Sequence, residues 1–250
     1  MVPLIFQVYA EDLARRVAAQ SPNAVLETAT GTGVVTRALL PRLTADARYV
    51  ATDLNKAMLD LAAQRQGVDR RITWQTADAL ALPFETGAFD AVCCQFGVMF
   101  FPDRVKGYRE AKRVLKPGGH FVFNAWDRIE ANLFPNSVSN TLAQLFPADP
   151  PRFIARVPHG YHDVALIRDE LASAGFATIA IETRTESARA PSARHVAIAI
   201  CQGTPLRAEL EARGAGQLQA ATDHAAAAIA SQFGVGEVAA NIQAHVIVAS

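Results

Sequence analysis

Three acids and two glycines are the residues of this chain whose types and spacing could do chemistry. Glu27 closes an apolar run, AVLE, and Gly31 and Gly33 follow it in TATGTG. Asp53 closes the next apolar run, YVATD, and Asp78 closes a third, ITWQTAD. Glycine has no Cβ, so the chain can turn sharply there and another molecule can lie against its backbone. A carboxylate just before such a turn repels a pyrophosphate but can accept hydrogen bonds from a cationic amino group. A second carboxylate about twenty residues further on is placed to bind both hydroxyls of a ribose. The dinucleotide fingerprint needs a third glycine three residues after the second, and Thr36 stands there instead. A ligand with a ribose, a positive charge and no phosphate answers both acids. S-adenosylmethionine is such a molecule.

These residues need a scaffold, and the hydrophobic pattern supplies one. The sequence predicts a strand over 24–28 and a helix over 33–43, with Val35, Leu39, Leu40 and Leu43 at helical spacing. A strand over 48–53 leads into a helix capped by Asn55, opened by Lys56, Met58 and Leu59 and ended by Gly67. Strands over 72–78 and 89–96 follow. A helix over Arg104–Leu115 ends at Lys116-Pro117-Gly118-Gly119, and HFVFNAW makes a strand over 120–126. Before all of these, an amphipathic helix from about Pro3 to Ala19 carries Leu4, Val8, Leu13 and Val17. Alternating strands and helices with short connections imply a parallel, doubly wound sheet whose ligands bind at the carboxyl ends of the strands. Glu27, Asp53, Asp78, Gln95 and Asp127 all fall at such ends, which points to one shared cleft.

After Asp127 the pattern changes. Residues 128–160 read as irregular, with one helix near Val138–Leu145. A helix over Asp163–Ala174 and a strand, FATIAIETR, then resume the core. Residues 186–236 form a second block divided by glycines into helices: one ending at Gly203, one from Thr204 and Pro205 to Gly214, and one from Gln217 to Phe233. NIQAHVIVA makes the closing strand. The chain is expected to be a single domain over 1–250 in which these two blocks form a cap that selects the second substrate.

Four segments in register between Ala24 and Asp127 carry a family resemblance: LETATGTG, ATDLNKAML, TADALALPFETGAFDAVCCQFGVMFF and REAKRVLKPGGHFVFNAWD. They resemble the class I S-adenosylmethionine-dependent methyltransferases, near the small-molecule group that includes the ubiquinone and menaquinone biosynthesis methyltransferases. The resemblance implies an α/β fold, a doubly wound seven-stranded, mostly parallel sheet with an antiparallel last strand and helical cap insertions. It also implies S-adenosyl-L-methionine as cofactor, held by Glu27, Ala29, Thr30, Gly31, Gly33, Asp53, Leu54, Met58, Asp78, Ala79, Gln95 and Phe96. Asp78 would meet the adenine amino group and the Ala79 N–H a ring nitrogen. Gln95 and Phe96 would flank the methionine part, and Met58 would pack either on the adenine or in the core. Two departures stand out: Glu27 replaces the commoner Asp, and Ala29 a common Gly. Ala29 suits the turn if its φ is negative. Relatives usually carry more chain before the first helix, so the lid over the cofactor is expected to be short, missing or supplied by another segment.

Methyl transfer from a sulfonium is a direct displacement, and alignment alone can contribute roughly 7–11 kcal/mol. A base matters only for an acceptor such as a phenol. Asp127, His159 and His162 are the candidates; His120, His195, His224 and His245 carry no assigned role. Cys93 and Cys94 lie in an apolar strand and read as packing, and no metal site is expected.

Composition narrows the partners. Among 250 residues, 24 basic side chains balance 24 acidic ones, which disfavours nucleic acid. Arg70-Arg71 and the Lys112, Arg113, Lys116 group read as solvated faces. Three cysteines, two of them adjacent, suggest reduced thiols. The first residues lack a basic leader and a cleavage site, and no apolar stretch reaches the roughly 20 residues that span a bilayer, so a soluble cytoplasmic protein is expected. The expected activity is methyl transfer to oxygen, nitrogen or carbon of a small, apolar or aromatic metabolite. A nicotinamide-dependent oxidoreductase and a cofactor-binding regulator without chemistry are the alternatives. Nothing in the sequence speaks to oligomeric state.

Overall fold

The computed structural model describes residues 5–250, so Pro3 and Leu4 of the expected first helix lie outside the described residues. A seven-stranded sheet runs in the order β3-β2-β1-β4-β5-β7-β6. Its strands are β1 (Ala24–Glu27), β2 (Arg48–Asp53), β3 (Ile72–Thr76), β4 (Phe89–Gln95), β5 (Leu115–Trp126), β6 (Ile179–Ala190) and β7 (Val238–Ala249). The first five are parallel, and register ties Glu27 to Ala51 and Cys93, Asp53 to Thr76, and Gln95 to Asn124. β7 is antiparallel. Thr178 exchanges backbone hydrogen bonds with Ser250, and Thr183 and Thr185 reach back to His245 and Gln243 in turn. The doubly wound sheet expected from the sequence is present.

By compactness the chain divides into two units. The first holds residues 7–125, 163–183 and 245–250. β1 and most of β4 are buried, as strands covered on both faces must be. Helix α1 (Gln7–Ala18) sets Tyr9, Leu13 and Val17 into the interior against β4 and against α2 (Val34–Leu39). Asn55 caps α3 (Lys56–Gln66), its side chain accepting from the N–H groups of Ala57 and Met58. Behind β5, Tyr108 of α4 (Arg104–Val114), Phe121, Phe123 and Phe176 stack with centroids 4.8–6.0 Å apart. Asp163 caps α7 (Val164–Ser173).

The second unit holds residues 126–162 and 184–244 with Ile5 and Phe6. It contains α5 (Leu133–Leu145), α6 (Phe153–Arg156), α8 (Ala193–Cys201), α9 (Leu206–Glu211) and α10 (Gln217–Phe233). α10 packs on α5 and α8 with Ala221, Thr222, Ala225 and Ile229 buried, and the small alanines let the helices approach. Phe134 meets Phe233 edge to face at 5.0 Å. Asn132 pins the start of α5: its Nδ2 donates to the carbonyls of Asp127, Arg128 and Gln243, and its Oδ1 accepts from the Gln243 N–H at 3.0 Å.

Several local expectations need correction. α5 begins at Leu133 rather than near Val138, because Pro135 falls in the first turn, where its missing N–H costs nothing. β6 continues to Ala190, into a stretch read as irregular. It is the outermost strand, largely exposed, and so lacks the apolar alternation of an inner strand. β5 starts at Leu115, which pairs with Phe89 across an irregularity before regular pairing resumes at His120. β3 ends at Thr76, and Asp78 forms an isolated bridge with Ala81. Arg71 and Arg113 are not solvated faces. Arg71 grips Asp69 and the carbonyls of Leu40, Leu43 and Thr44, and Arg113 grips Glu110 and the carbonyls of Leu82 and Phe84.

Candidate functional site

Parallel strands in the order β3-β2-β1-β4 carry their C-terminal residues to one edge of the sheet, all within the first unit. Asp78, Asp53, Glu27 and Gln95 therefore line up along that edge. Backbone bonds draw the connecting loops together: the Ala77 N–H donates to the Asp53 carbonyl, Thr30 to Thr52 and Thr28 to Cys93.

Asp53 organises the glycine turn. Its Oδ2 accepts from the Gly31 N–H at 2.7 Å and its Oδ1 from the Asn55 N–H at 2.8 Å, so one carboxylate fixes both the turn after β1 and the start of α3. Each oxygen keeps a second lone pair for another donor. Gly31 has φ +57°, and a Cβ built there meets nothing within 4 Å: the face of the turn is open. Gly33 differs. At φ +76° a Cβ there would meet Ala62 Cβ and Arg37 Nη1 at 3.0 Å, so its bareness serves the packing of α2 on α3. Beyond Asp53, the apolar side chains of Leu54 and Met58 are 71% and 41% exposed. The Asp78 Oδ1 accepts from the Leu80 N–H and shapes its own loop, with Ala79 half-buried beside it.

Glu27 is 1% exposed. Its Oε2 accepts from Thr36 Oγ1 and from the Tyr49 hydroxyl, each at 2.5 Å. No residue described donates to Oε1. Burial pushes the carboxyl up to about 7 against the pull of those two hydroxyls. Burial likewise holds the Cys93 thiol well up and Cys94 at about 11, so both stay protonated and unreactive at neutral pH.

The turn is strained where the sequence asked for ease. Ala29 has φ +51°, not the negative value its residue type prefers. The turn needs a left-handed residue there, at a cost of roughly 1–2 kcal/mol for an L side chain. Phe96, after β4, is also left-handed at φ +52°. Its N–H is shared between the carbonyl and the Oδ1 of Asn124, whose Nδ2 is buried without a partner among the described residues. Gly97 completes the joint, since a Cβ there would meet Ala29 Cβ at 2.5 Å. Of three non-glycine residues with positive φ among those described, two stand at this edge. Strain of this kind concentrates at functional sites.

In the second unit, the proposed bases form one chain through backbone carbonyls. His162 Nδ1–H donates to the His159 carbonyl at 2.9 Å, and His159 Nδ1–H to the Asp127 carbonyl at 2.7 Å. His159 is 5% exposed, and burial lowers it to about 4, so it is neutral at pH 7. Trp126 lies beside its ring, centroids 6.1 Å apart. Among the described residues, no group of three His, Cys, Asp or Glu could hold a metal ion.

Sequence reasoning missed Tyr49, Thr36 and Asn124. A signal for Tyr49 existed: a phenol in a buried strand needs a partner for its hydroxyl, and Glu27 is the acid on the next strand.

Residues 26–123 match the family described as a methyltransferase domain. Demethylmenaquinone methyltransferase from Deinococcus radiodurans is 40% identical over 117 residues, which cover 46% of this chain and 48% of that protein. Demethylmenaquinone methyltransferase from Clavibacter sepedonicus is 30% identical over 198 residues, covering 73% of this chain and 80% of that protein. The chain belongs to the class I S-adenosylmethionine-dependent methyltransferase family. The match spans about half the length of the first of these relatives and four-fifths of the second. Phosphoethanolamine N-methyltransferase 2 from Haemonchus contortus, solved in complex with S-adenosyl-L-methionine, shares the fold. It covers 100% of this methyltransferase chain and 54% of its own, at a TM-score of 0.61 and 16% identity. Both the family match and the glycine turn fall in the first unit, and the matched residues end at Phe123, inside β5.

Proposed function

We propose that this chain moves a methyl group from S-adenosyl-L-methionine to oxygen, nitrogen or carbon of a small, apolar or aromatic acceptor. The observation that carries this reading is the juxtaposition of Glu27, Gly31 and Asp53. A buried carboxylate with one oxygen to which no described residue donates, an open glycine face and a second carboxylate aligned by that glycine suit an ammonium and a ribose diol. When bound, the cofactor supplies a methyl carbon on a positively charged sulfur, open to in-line displacement.

The residues then have distinct tasks. Glu27 Oε1 accepts from the amino group, and Asp53 accepts from the ribose hydroxyls with its remaining lone pairs. Leu54 and Met58 cover the adenine, Asp78 and the Ala79 N–H meet its edge, and Gln95 and Phe96 flank the methionine part. Ala29, Thr30 and Gly33 hold the turn in shape. The segments 128–160 and 186–236 select the acceptor, which the names of the two bacterial relatives suggest is a quinone-like ring. If that acceptor is a hydroxyl, Asp127, His159 and His162 are the candidates to take its proton. Each histidine donates its Nδ1–H to a backbone carbonyl, which makes Nε2 the acceptor nitrogen of the neutral ring. Among the described residues no helix is long and apolar enough to cross a membrane, and we place the protein in the cytoplasm, without nucleic-acid partners.

Calorimetric titration with S-adenosyl-L-methionine, NAD and NADP tests the cofactor. A panel of aromatic and quinone-like acceptors, read by mass spectrometry for the gain of one methyl group, tests the reaction. Tighter binding of a nicotinamide cofactor would turn the assignment to an oxidoreductase. Tight binding of the sulfonium with no methylated product from any acceptor would turn it to a regulator.

A further inference from the structure

Thr36 is the residue that breaks the dinucleotide fingerprint, and the structure gives it a task. It sits in the first turn of α2 and donates its hydroxyl to Glu27 Oε2. Tyr49, from the neighbouring strand, donates to the same oxygen. Two hydroxyls from different elements thus fill one oxygen of a buried carboxylate and leave the other without a donor among the described residues. All three side chains are fully or almost fully buried, so water cannot replace either hydroxyl cheaply.

We propose that Thr36 and Tyr49 are positioning residues for cofactor recognition, holding Glu27 ionised and turned so that Oε1 is left for a cationic amino group. This rests on the reading above that Glu27 meets that group. Donors to a carboxylate favour its charged form, and burial opposes it. The groups facing Glu27 are Tyr49 on β2, Cys93 and Cys94 on β4, Arg37 on α2 and Asp53 at the end of β2. Arg37 favours the anion and Asp53 opposes it, while both thiols stay neutral. Burial outweighs the rest and sets the carboxyl at about 7. The hydroxyls are therefore what keeps an ionised fraction near neutrality. An ammonium ligand selects that fraction, so affinity falls about tenfold per pH unit once the free protein's carboxyl is protonated. Removing one hydroxyl destabilises the anion, raises the pH at which Glu27 ionises and moves the affinity curve to the alkaline side.

The test is the affinity of the whole chain for S-adenosyl-L-homocysteine, which keeps the amino group and cannot turn over. Calorimetry from about pH 5.5 to about pH 9 covers the range in which the carboxyl titrates. Wild type should show affinity rising to a plateau above about pH 7. Tyr49→Phe and Thr36→Val should shift that rise upward by about half a pH unit or more, roughly threefold or more in affinity on the acid side. Thr36→Ser, which keeps the hydroxyl, should restore the wild-type curve. Glu27→Gln should bind more weakly and without the acid fall. Superimposable curves for wild type, Tyr49→Phe and Thr36→Val overturn the proposal, because a merely structural role moves stability and not the midpoint. If Tyr49→Phe fails to fold, the isosteric Thr36→Val decides alone. Wild-type affinity that is flat with pH while Glu27→Gln is weakened also overturns it. Unchanged binding by Glu27→Gln at every pH removes the prior assignment of Glu27 instead.

Discussion

Substituting Gly97 by alanine probes how tightly the loops after β1 and β4 are joined. Gly97 has φ −95° and ψ −37°, a conformation alanine adopts freely, so the backbone raises no objection. Space does. The new Cβ would meet Ala29 Cβ at 2.5 Å and Cys94 Sγ at 2.6 Å. Neither can swing away: a methyl has no rotamer, and Cys94 is fully buried in the central strand β4. Overpacking of this kind costs about 1–3 kcal/mol, and the stiffer unfolded chain returns about 0.4–1 kcal/mol. The net loss is about 1–2 kcal/mol, or about 2–8 °C in Tm for a chain of this size. Ala29→Gly removes the nearer obstacle and the left-handed strain while adding unfolded-state freedom of about 0.5–1 kcal/mol, so alone it stays within about 1 kcal/mol of wild type. The double variant should recover part of the loss, with a favourable coupling of about 0.5–3 kcal/mol; the remainder belongs to Cys94. Urea unfolding of the four proteins measures the cycle. Additive effects, or a Gly97→Ala protein as stable as wild type, refute the claim that these loops are in contact through Ala29.

Three further outcomes are expected. Asp53→Ala should weaken S-adenosyl-L-methionine binding at least about tenfold, since charge-assisted hydrogen bonds contribute about 1.5–3 kcal/mol each; calorimetry checks it, and Asp53→Asn, which keeps one acceptor, should lose less. Gly31→Val should still fold, losing about 1–2 kcal/mol to its left-handed φ, because no protein atom fills that space; a folded variant that binds the cofactor normally would show that the open face is not used. His159 lies near 4 in the folded chain against 6.5 when free, so its stabilising neutrality is complete above pH 6.5 and fades as pH falls toward 4. The span is worth up to about 3 kcal/mol, and His159→Asn should flatten that part of the stability curve in urea titrations.

Much of the sheet was legible because buried parallel strands are apolar throughout and end in punctuation. YVATD and AVLE need no tertiary information to be read as strands, and Asn55 and Gly67 frame α3 by cap chemistry alone. β6 was truncated in the reading because an edge strand such as TESARA carries polar residues on both faces. α5 was shortened because Pro135 reads as a breaker unless its place in the first turn is known. At the site, the acids were visible as charges ending apolar runs. Their partners were not. Thr36 looked like a missing glycine, and Tyr49 like one more core aromatic, because what joins them to Glu27 is the adjacency of β1 and β2.

The same edge gathers several of the local conflicts in the first unit. Ala29 and Phe96 hold left-handed backbones, Asn124 buries an Nδ2 without a partner among the described residues, and Glu27 buries a carboxylate. Each is unfavourable alone, and a chain selected only to fold would have discarded them. Glu27 makes the conflict measurable. Its carboxyl is raised from 4.5 to about 7 in the folded chain, so folding favours the neutral form. Its contribution to the stability of the ligand-free fold is complete below pH 4.5 and falls by up to about 3 kcal/mol as pH rises through 7. A neutral glutamine there would relieve that loss at alkaline pH and would present no charge to an ammonium ligand. On the proposed reading of Glu27, stability and recognition make opposite demands on one side chain, and an acid rather than a glutamine is what binding an ammonium would require.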